Sequence, residues 1–95
     1  MKLRVCDGER ERSGPASLDL LEAAFAYHSM SNGHEIALAD GQRWIAAVAV
    51  IERPGRQVEF LLSGETGDRV PLSGRTSLGE ALQRFRDFLA VESCR

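Results

Sequence analysis

The sequence predicts a small α+β domain, in which two amphipathic helices pack on an antiparallel sheet of three to five strands in the order β-α-β-β-β-(β)-α. Three observations predict this fold. Two segments, one in each half of the chain, repeat apolar residues at helical spacing. Between them lie three segments with strand character, joined by short turn signals typical of a meander. The 95 residues are enough for a single domain with one core, over residues 1–95.

The first third of the chain predicts a short strand, a linker and a helix. Residues 2–6 alternate polar and apolar side chains, as a strand does. Residues 7–14 (DGERERSG) carry alternating charges and no apolar side chain, so we expect a solvated linker. Pro15 is expected to open the helix, whose first turn does not need the missing N–H, and Gly33 is suited to follow its end. The helical stripe comprises Leu18, Leu21, Phe25 and His28, widened by Leu20, Ala24 and Tyr27.

Three strands are predicted after this helix. Residues 34–39 alternate, and Asp40-Gly41 is a strong signal for a two-residue hairpin turn. Residues 43–52 (RWIAAVAVIE) form the longest apolar run of the chain and predict the middle strand. Residues 53–56 (RPGR) place Pro and Gly where a type II turn prefers them, and residues 57–62 return as the third strand.

The C-terminal third predicts an edge strand and the second helix. An edge strand is expected around residues 69–72, because Pro71 has no N–H to donate and this confines the strand to the edge of the sheet. Ser77 and Glu80 match the S-x-x-E capping box of a helix start, and Glu80 and Arg84 stand in the favourable i,i+4 order. The apolar stripe of this helix comprises Leu78, Ala81, Leu82, Phe85, Phe88 and Leu89.

Charge and cysteine content restrict the function classes. The net charge of −2 argues against a general nucleic-acid binder, because such proteins carry a basic excess. The two cysteines, Cys6 and Cys94, do not make a disulfide framework, and the sequence leaves open whether they approach each other. No stretch resembles a signal peptide or a membrane span, so we expect a cytoplasmic protein with reduced thiols and no membrane partner.

The middle strand is unusual because both of its faces are apolar. A strand with one wet face should carry polar residues at every second position. Either the two helices therefore cover both faces of the sheet, or one face meets a protein partner or a second copy of the chain. The small side chains of Ala47 and Ala49 would permit close approach. The residues that we single out for partner binding are Trp44, Ala47, Ala49, Ile51 and Leu61.

The loop from Ser63 to Ser77 invites comparison with phosphate-binding loops. It holds three glycines and two arginines and is followed by a helix start, where N–H groups bind anions. It is not a P-loop, because six residues separate Gly67 from Gly74 and Arg75 stands where that motif has lysine. Loop arginines at one end of the sheet still define an alternative anion-binding or nucleic-acid-binding site, comprising Arg53, Arg56, Arg69, Arg75, Thr76 and Ser77.

Catalytic, metal and cofactor motifs are not apparent in the sequence. There is no C-x-x-C or H-x-x-x-H spacing and no G-x-S-x-G elbow, so we predict no catalytic residue, metal ligand or cofactor. The order helix, three strands, helix is similar to that of the double-stranded-RNA-binding domain. That family carries a lysine pair at the start of its last helix, where this chain has Ser77-Leu78-Gly79-Glu80.

These observations favour a small non-catalytic interaction protein that occupies a surface of a macromolecular partner. Adaptors, inhibitors and immunity-type proteins of bacteria and phages are analogous in size, mild acidity and lack of motifs. The first alternative is an anion-binding or nucleic-acid-binding module that uses the loop arginines, and the second is a small oligomeric enzyme. A protein partner is preferred over nucleic acid, a homodimer is left open, and the identity of the partner does not follow from the sequence.

Overall fold

The computed structural model of the chain describes residues 1–28, 32–51, 58–66 and 72–93. The predicted α+β fold is confirmed, with an antiparallel six-stranded sheet in the order β2-β1-β3-β4-β5-β6 and two helices. The elements are β1 (Lys2–Cys6), β2 (Glu11–Pro15), α1 (Leu18–His28), β3 (Glu35–Asp40), β4 (Arg43–Val50), β5 (Glu59–Glu65), β6 (Leu72–Ser77) and α2 (Leu78–Ser93).

The N-terminal hairpin corrects two predictions. The linker expected over residues 7–14 is wrong from Glu11 onward, because residues 11–15 form strand β2, which pairs with β1 in the register Cys6↔Glu11 to Lys2↔Pro15. Its side chains remain largely exposed, so backbone pairing rather than apolar burial defines this strand. Pro15 ends β2 and does not open the helix. The helix begins at Leu18, after Ser17 has capped it by accepting the N–H of Leu20 at 3.2 Å.

Two glycines set the turns on either side of β3. The hairpin lies where the Asp40-Gly41 signal predicts it, but its two-residue loop is Gly41-Gln42, because Asp40 still pairs with Arg43 at the end of β3; Gly41 has a φ of +60° there. Among the described residues only glycines have positive φ, so this loop follows the type II′ pattern, with Gly first. Gly33, with a φ of +85°, follows α1, and its N–H donates to the carbonyl of Ala49 at 2.8 Å. The connection that leads into β3 is thereby joined to the end of β4.

Both helices pack on the same face of the sheet. The core lies between them and this face, and three phenylalanine rings hold its centre: Phe25 packs on Phe60 at 5.3 Å and on Phe85 at 4.9 Å between ring centroids. Of the two alternatives drawn from the sequence, the one in which the helices cover both faces of the sheet is therefore wrong for the described part of the chain. The buried core cluster comprises Leu3, Leu21, Phe25, Ile36, Leu38, Ile45, Ala47, Ala49, Phe60, Leu62, Ala81, Phe85 and Phe88.

The start of α2 matches the sequence prediction. The Oγ of Ser77 accepts the N–H of Glu80 at 3.3 Å, which is the first half of a capping box. Glu80 also pairs with Arg84 at 3.8 Å. Strand β6 lies at the edge of the sheet but runs from Leu72 to Ser77, whereas the edge strand was predicted around residues 69–72, of which only Leu72 is described. The predicted turn at 53–56 and residues 69–71 lie outside the described residues.

Candidate functional site

The face of the sheet opposite the helices, called the open face below, carries an unusual number of apolar side chains. Strand alternation and register define it, since Ala37 pairs with Ala46, Ala39 with Trp44, and Val48 with Leu61. In the described part of the chain, no helix lies over these residues. The apolar centre of the open face comprises Ala37, Ala39, Trp44, Ala46, Val48, Val50 and Leu61.

The open face has a low floor and two prominent side chains. Ala37 and Ala46 are directly paired in the middle of the face and are only 7% and 6% exposed. Trp44 is 41% exposed and Leu61 is 50% exposed, on either side of this floor. A large, half-exposed tryptophan and leucine next to small side chains form a surface that another protein can cover.

Ion pairs line the rim of the open face. Arg4 bonds to Glu35 on the neighbouring strand and lies 3.6 Å from Glu11 on the other neighbour. At the opposite side of the sheet, the Nε of Arg75 lies 3.7 Å from the carboxylate of Glu59. Such exposed pairs add little stability. Within these pairs the positive and negative charges offset each other, so these groups give the open face no strong net charge of either sign.

The residues predicted to bind a partner divide between the two faces. Trp44 and Leu61 lie on the open face. Ala47 and Ala49 are 0% and 1% exposed and belong to the core under the helices, so their assignment to an interface is wrong. Their small side chains allow the helices to approach the sheet. Ile51 follows β4 and is half-buried, and its N–H donates to the Oδ1 of Asn32 at 2.9 Å.

The loop arginines predicted to bind anions are only partly described. Arg53, Arg56 and Arg69 lie outside the described residues. Arg75 lies on edge strand β6, paired with Glu59. The structure therefore does not bring the four arginines together as a described cluster.

The helix start next to Arg75 already has its own partners. The hydroxyl of Thr76 donates to the carboxylate of Glu80 at 3.0 Å, and the hydroxyl of Ser77 caps the helix. The carboxylate of Glu80 thus occupies the positive end of the α2 dipole, where an anion would otherwise bind. These contacts favour a structural role for Thr76 and Ser77.

Arg43, which the sequence interpretation did not single out, closes one end of the core. Its guanidinium lies 4.7 Å from the centroid of the Phe88 ring, and its Nε donates to the carbonyl of Thr66 at 3.1 Å. Its Nη1 lies 3.9 Å from Asp40. These contacts tie β4 to α2 and to the end of β5, which is a packing role.

The described residues contain neither a metal-binding cluster nor a membrane-spanning helix. No group of three or more His, Cys, Asp or Glu side chains among them could hold a metal ion. No helix in this part of the chain has the length and apolar character that crossing a bilayer demands. Cys6 is a half-buried free thiol, and Cys94 lies outside the described residues.

A groove on the helix side of the sheet is the feature that the sequence interpretation missed. It has a volume of about 550 Å³ and lies between α1 and the β1–β2 hairpin. One sequence signal pointed to it, namely the widened apolar stripe of the first helix. The residues that line it are Leu3, Val5, Asp7, Arg10, Arg12, Ser13, Gly14, Pro15, Leu20, Ala23, Ala24 and Tyr27.

Comparisons of this chain with protein-family models, with curated protein sequences and with solved structures find no significant match. The functional assignment therefore rests on the residues and geometry of the chain itself.

Proposed function

We propose that this chain is a small non-catalytic interaction protein that binds a protein partner through the open face of its sheet. One observation carries the proposal: Trp44 and Leu61 stand 41% and 50% exposed on a face over which no described helix lies. Exposed apolar patches with polar rims are typical of protein-binding sites. Tryptophan is also among the residues that most often dominate binding energy at such sites.

The dimensions of the open face suit a protein partner. Six strands about 4.8 Å apart give a width of roughly 29 Å. The eight residues of β4, at about 3.3 Å each, give a length of roughly 26 Å. The other strands are five to seven residues long, so the sheet averages roughly 20 Å in this direction and its face covers roughly 590 Å², about three quarters of the ~800 Å² that each partner contributes to a standard interface.

The rim indicates the chemistry of the partner. Because Arg4 pairs with Glu35 and Arg75 with Glu59, the open face attracts neither acidic nor basic surfaces strongly. A partner that presents a flat apolar patch fits best, and a second copy of this chain presents one itself. Binding should therefore depend weakly on salt, since no net charge is neutralised.

A matched pair of variants tests the proposal. Leu61→Ser removes an apolar side chain from the open face, whereas Leu18→Ser makes the same change at a leucine of similar exposure on α1, 46% against 50%. Each protein is used as bait in a lysate of its native host, and captured proteins are quantified by mass spectrometry. We expect a stoichiometric partner that Leu18→Ser retains and Leu61→Ser loses. Equal capture by both variants would contradict the proposal.

Light scattering after size exclusion distinguishes a second copy from another protein. A dimer that Leu61→Ser converts to a monomer, while Leu18→Ser does not, identifies the partner as the chain itself. A monomer that captures another protein through Leu61 supports the heterologous form of the proposal, which we place in the cytoplasm, as the sequence predicts.

The two alternatives from the sequence stay predictions. In the anion-binding alternative, the described residues are Arg75, Thr76 and Ser77, and their side chains already contact Glu59 and Glu80. That alternative predicts nucleic-acid binding that weakens steeply with salt, opposite to the behaviour expected of the open face. The second alternative, a small oligomeric enzyme, predicts an active site that forms only between subunits.

A further inference from the structure

We infer that the groove between α1 and the β1–β2 hairpin binds an acidic amphipathic helix of another protein. The groove lies on the helix side of the sheet, so it is separate from the open face. The inference does not depend on the proposed function, and either one can fail alone.

Helix α1 has a wider apolar surface than the core uses. Leu21 and Phe25 point into the core and are 0% and 1% exposed. A second stripe at i, i+3, i+4 and i+7 lines the groove, and its two large side chains are 53% and 72% exposed. A helix that carries apolar side chains outside its core-facing stripe normally buries that second surface as well. The stripe comprises Leu20, Ala23, Ala24 and Tyr27.

The floor of the groove comes from the hairpin. Leu3 and Val5 of β1 point to the helix side, opposite Gly14 and Arg12 of β2. Six strands span roughly 29 Å, and two helices about 10 Å in diameter cover roughly 20 Å of that width. Since α1 packs on β3 and α2 on β4 to β6, the remaining width, about that of one helix, lies over the hairpin. The layer of helices on this side of the sheet therefore leaves room for one more helix.

The length of the groove also fits a helix. The 11 residues of α1 extend for about 17 Å, which corresponds to about three helical turns. Addition of a strand at the edge beside the groove is disfavoured, because β2 carries Glu11, Arg12, Gly14 and Pro15, residue types that block edge pairing. A helix laid into a groove is thus the recognition mode that this geometry supports.

The charges of the groove specify the acidic character of the occupant. Arg10 and Arg12 lie on its hairpin side, and Arg12 forms no ion pair with a described residue. Asp7 is the one acidic group among the described lining residues. Its carboxylate accepts the N–H groups of Arg10 at 2.7 Å and Glu9 at 3.1 Å, which lowers the pKa of Asp7. Because its lowered pKa keeps the carboxylate of Asp7 ionised at neutral pH, the described lining carries two positive charges and one negative charge, which leaves the groove with a net positive charge.

Two synthetic helical peptides of about 15 residues, somewhat longer than the groove, test the inference. They share an apolar face with leucines at i, i+3, i+4 and i+7 and differ only in a polar face of glutamates or lysines. Fluorescence anisotropy of the labelled peptides, titrated with the full chain, gives both affinities. We expect the acidic peptide to bind at least about tenfold more tightly at low salt, and this preference to shrink as salt is added.

Variants decide whether the groove is where the peptide binds. Leu20→Gln removes an exposed leucine of the groove and should weaken binding about fivefold to tenfold. The matched Leu18→Gln, a similarly exposed leucine of the same helix that does not line the groove, should have little effect. Arg12→Glu should reverse the preference between the two peptides. Leu61→Ser should leave peptide binding unchanged, because Leu61 lies on the other face.

Several results would overturn the inference: no saturable binding of the acidic peptide, equal affinity for the two peptides, or equal losses in Leu20→Gln and Leu18→Gln. Circular dichroism of each variant verifies that the fold is retained. Arg12→Glu changes only an exposed side chain, so it keeps the test decisive if Leu20→Gln proves less stable.

Discussion

Replacement of Gly64 by alanine tests the register between β4 and β5, which determines the residues that reach the open face. A Cβ on Gly64 would lie 2.6 Å from the carbonyl oxygen of Trp44 and 3.1 Å from the Cα of Ile45. Both are backbone atoms of β4, which is paired with β3 on its other side. Neither atom can rotate away as a side chain can, so the two strands must separate locally.

The expected cost follows from this crowding. Extra atoms forced into a packed region cost about 1–3 kcal/mol. The loss of unfolded-state entropy on changing glycine to alanine offsets about 0.4–1 kcal/mol of this. We therefore expect Gly64→Ala to lower the free energy of unfolding by about 1–2 kcal/mol, which corresponds to a Tm lower by roughly 4–16 °C for a domain of this size.

Gly79→Ala provides the matched control. Gly79 lies in the first turn of α2 without a positive φ, and a Cβ there meets no atom within 4 Å. The same substitution should therefore raise the free energy of unfolding by up to about 1 kcal/mol. Urea unfolding followed by circular dichroism measures both variants. If Gly64→Ala were as stable as the wild type, the register would be wrong, and a shift of one residue would move Leu61 to the helix side.

Three further predictions concern the core, a helix cap and acid stability. Phe85→Ala should lower the free energy of unfolding in urea by about 3–5 kcal/mol, because the ring is fully buried against Phe25; a loss below about 1 kcal/mol would place Phe85 outside the core. Ser77→Ala should lower the Tm through the loss of about 1 kcal/mol of capping, whereas Ser73→Ala on β6 should not. Hydrogen bonds from backbone N–H groups hold the pKa of Asp7 below 3.8 in the folded state, so its contribution to stability is present above about pH 4 and is lost as the pH falls through the lowered pKa. Acid unfolding should thus be less steep for Asp7→Ala than for the wild type, and identical profiles would contradict this.

Much of the fold could be predicted because local signals and the tertiary structure agree. The Asp40-Gly41 signal lies at the β3–β4 hairpin, and the S-x-x-E pattern of Ser77 and Glu80 lies at the start of α2. The continuous apolar run over residues 43–52 predicted a central strand with two apolar faces. That run also indicated the open face, because a polar second face would have interrupted it.

Strand β2 could not be predicted because its side chains carry no pattern typical of a strand. Residues 11–15 contain no apolar alternation, and their pairing with β1 is made by backbone groups that every sequence has. Pro15 was misassigned for the same reason: a proline that ends an edge strand and one that opens a helix look alike until the position of the Ser17 cap is known.

The two faces of β4 could not be told apart from the sequence. Ala47 and Ala46 differ by one position in a run of small and branched residues, yet Ala47 lies under the helices and Ala46 on the open face. Only the neighbouring strands decide this, since Phe60 and Leu62 share a face with Ala47 and Ala49. The groove could not be predicted because it depends on β2, most of whose residues have the charged, non-apolar composition of a linker.

The central claim is that the open face contacts a protein partner, and site-specific photocrosslinking in the native host tests it most directly. A photoreactive p-benzoylphenylalanine replaces Leu61 in one protein and Leu18 in another, two leucines of similar exposure on opposite sides of the sheet. We predict an ultraviolet-dependent crosslink to one protein, or to a second copy of the chain, from position 61 and not from position 18. Crosslinks from position 18 alone, or equal crosslinks from both positions, would contradict the claim.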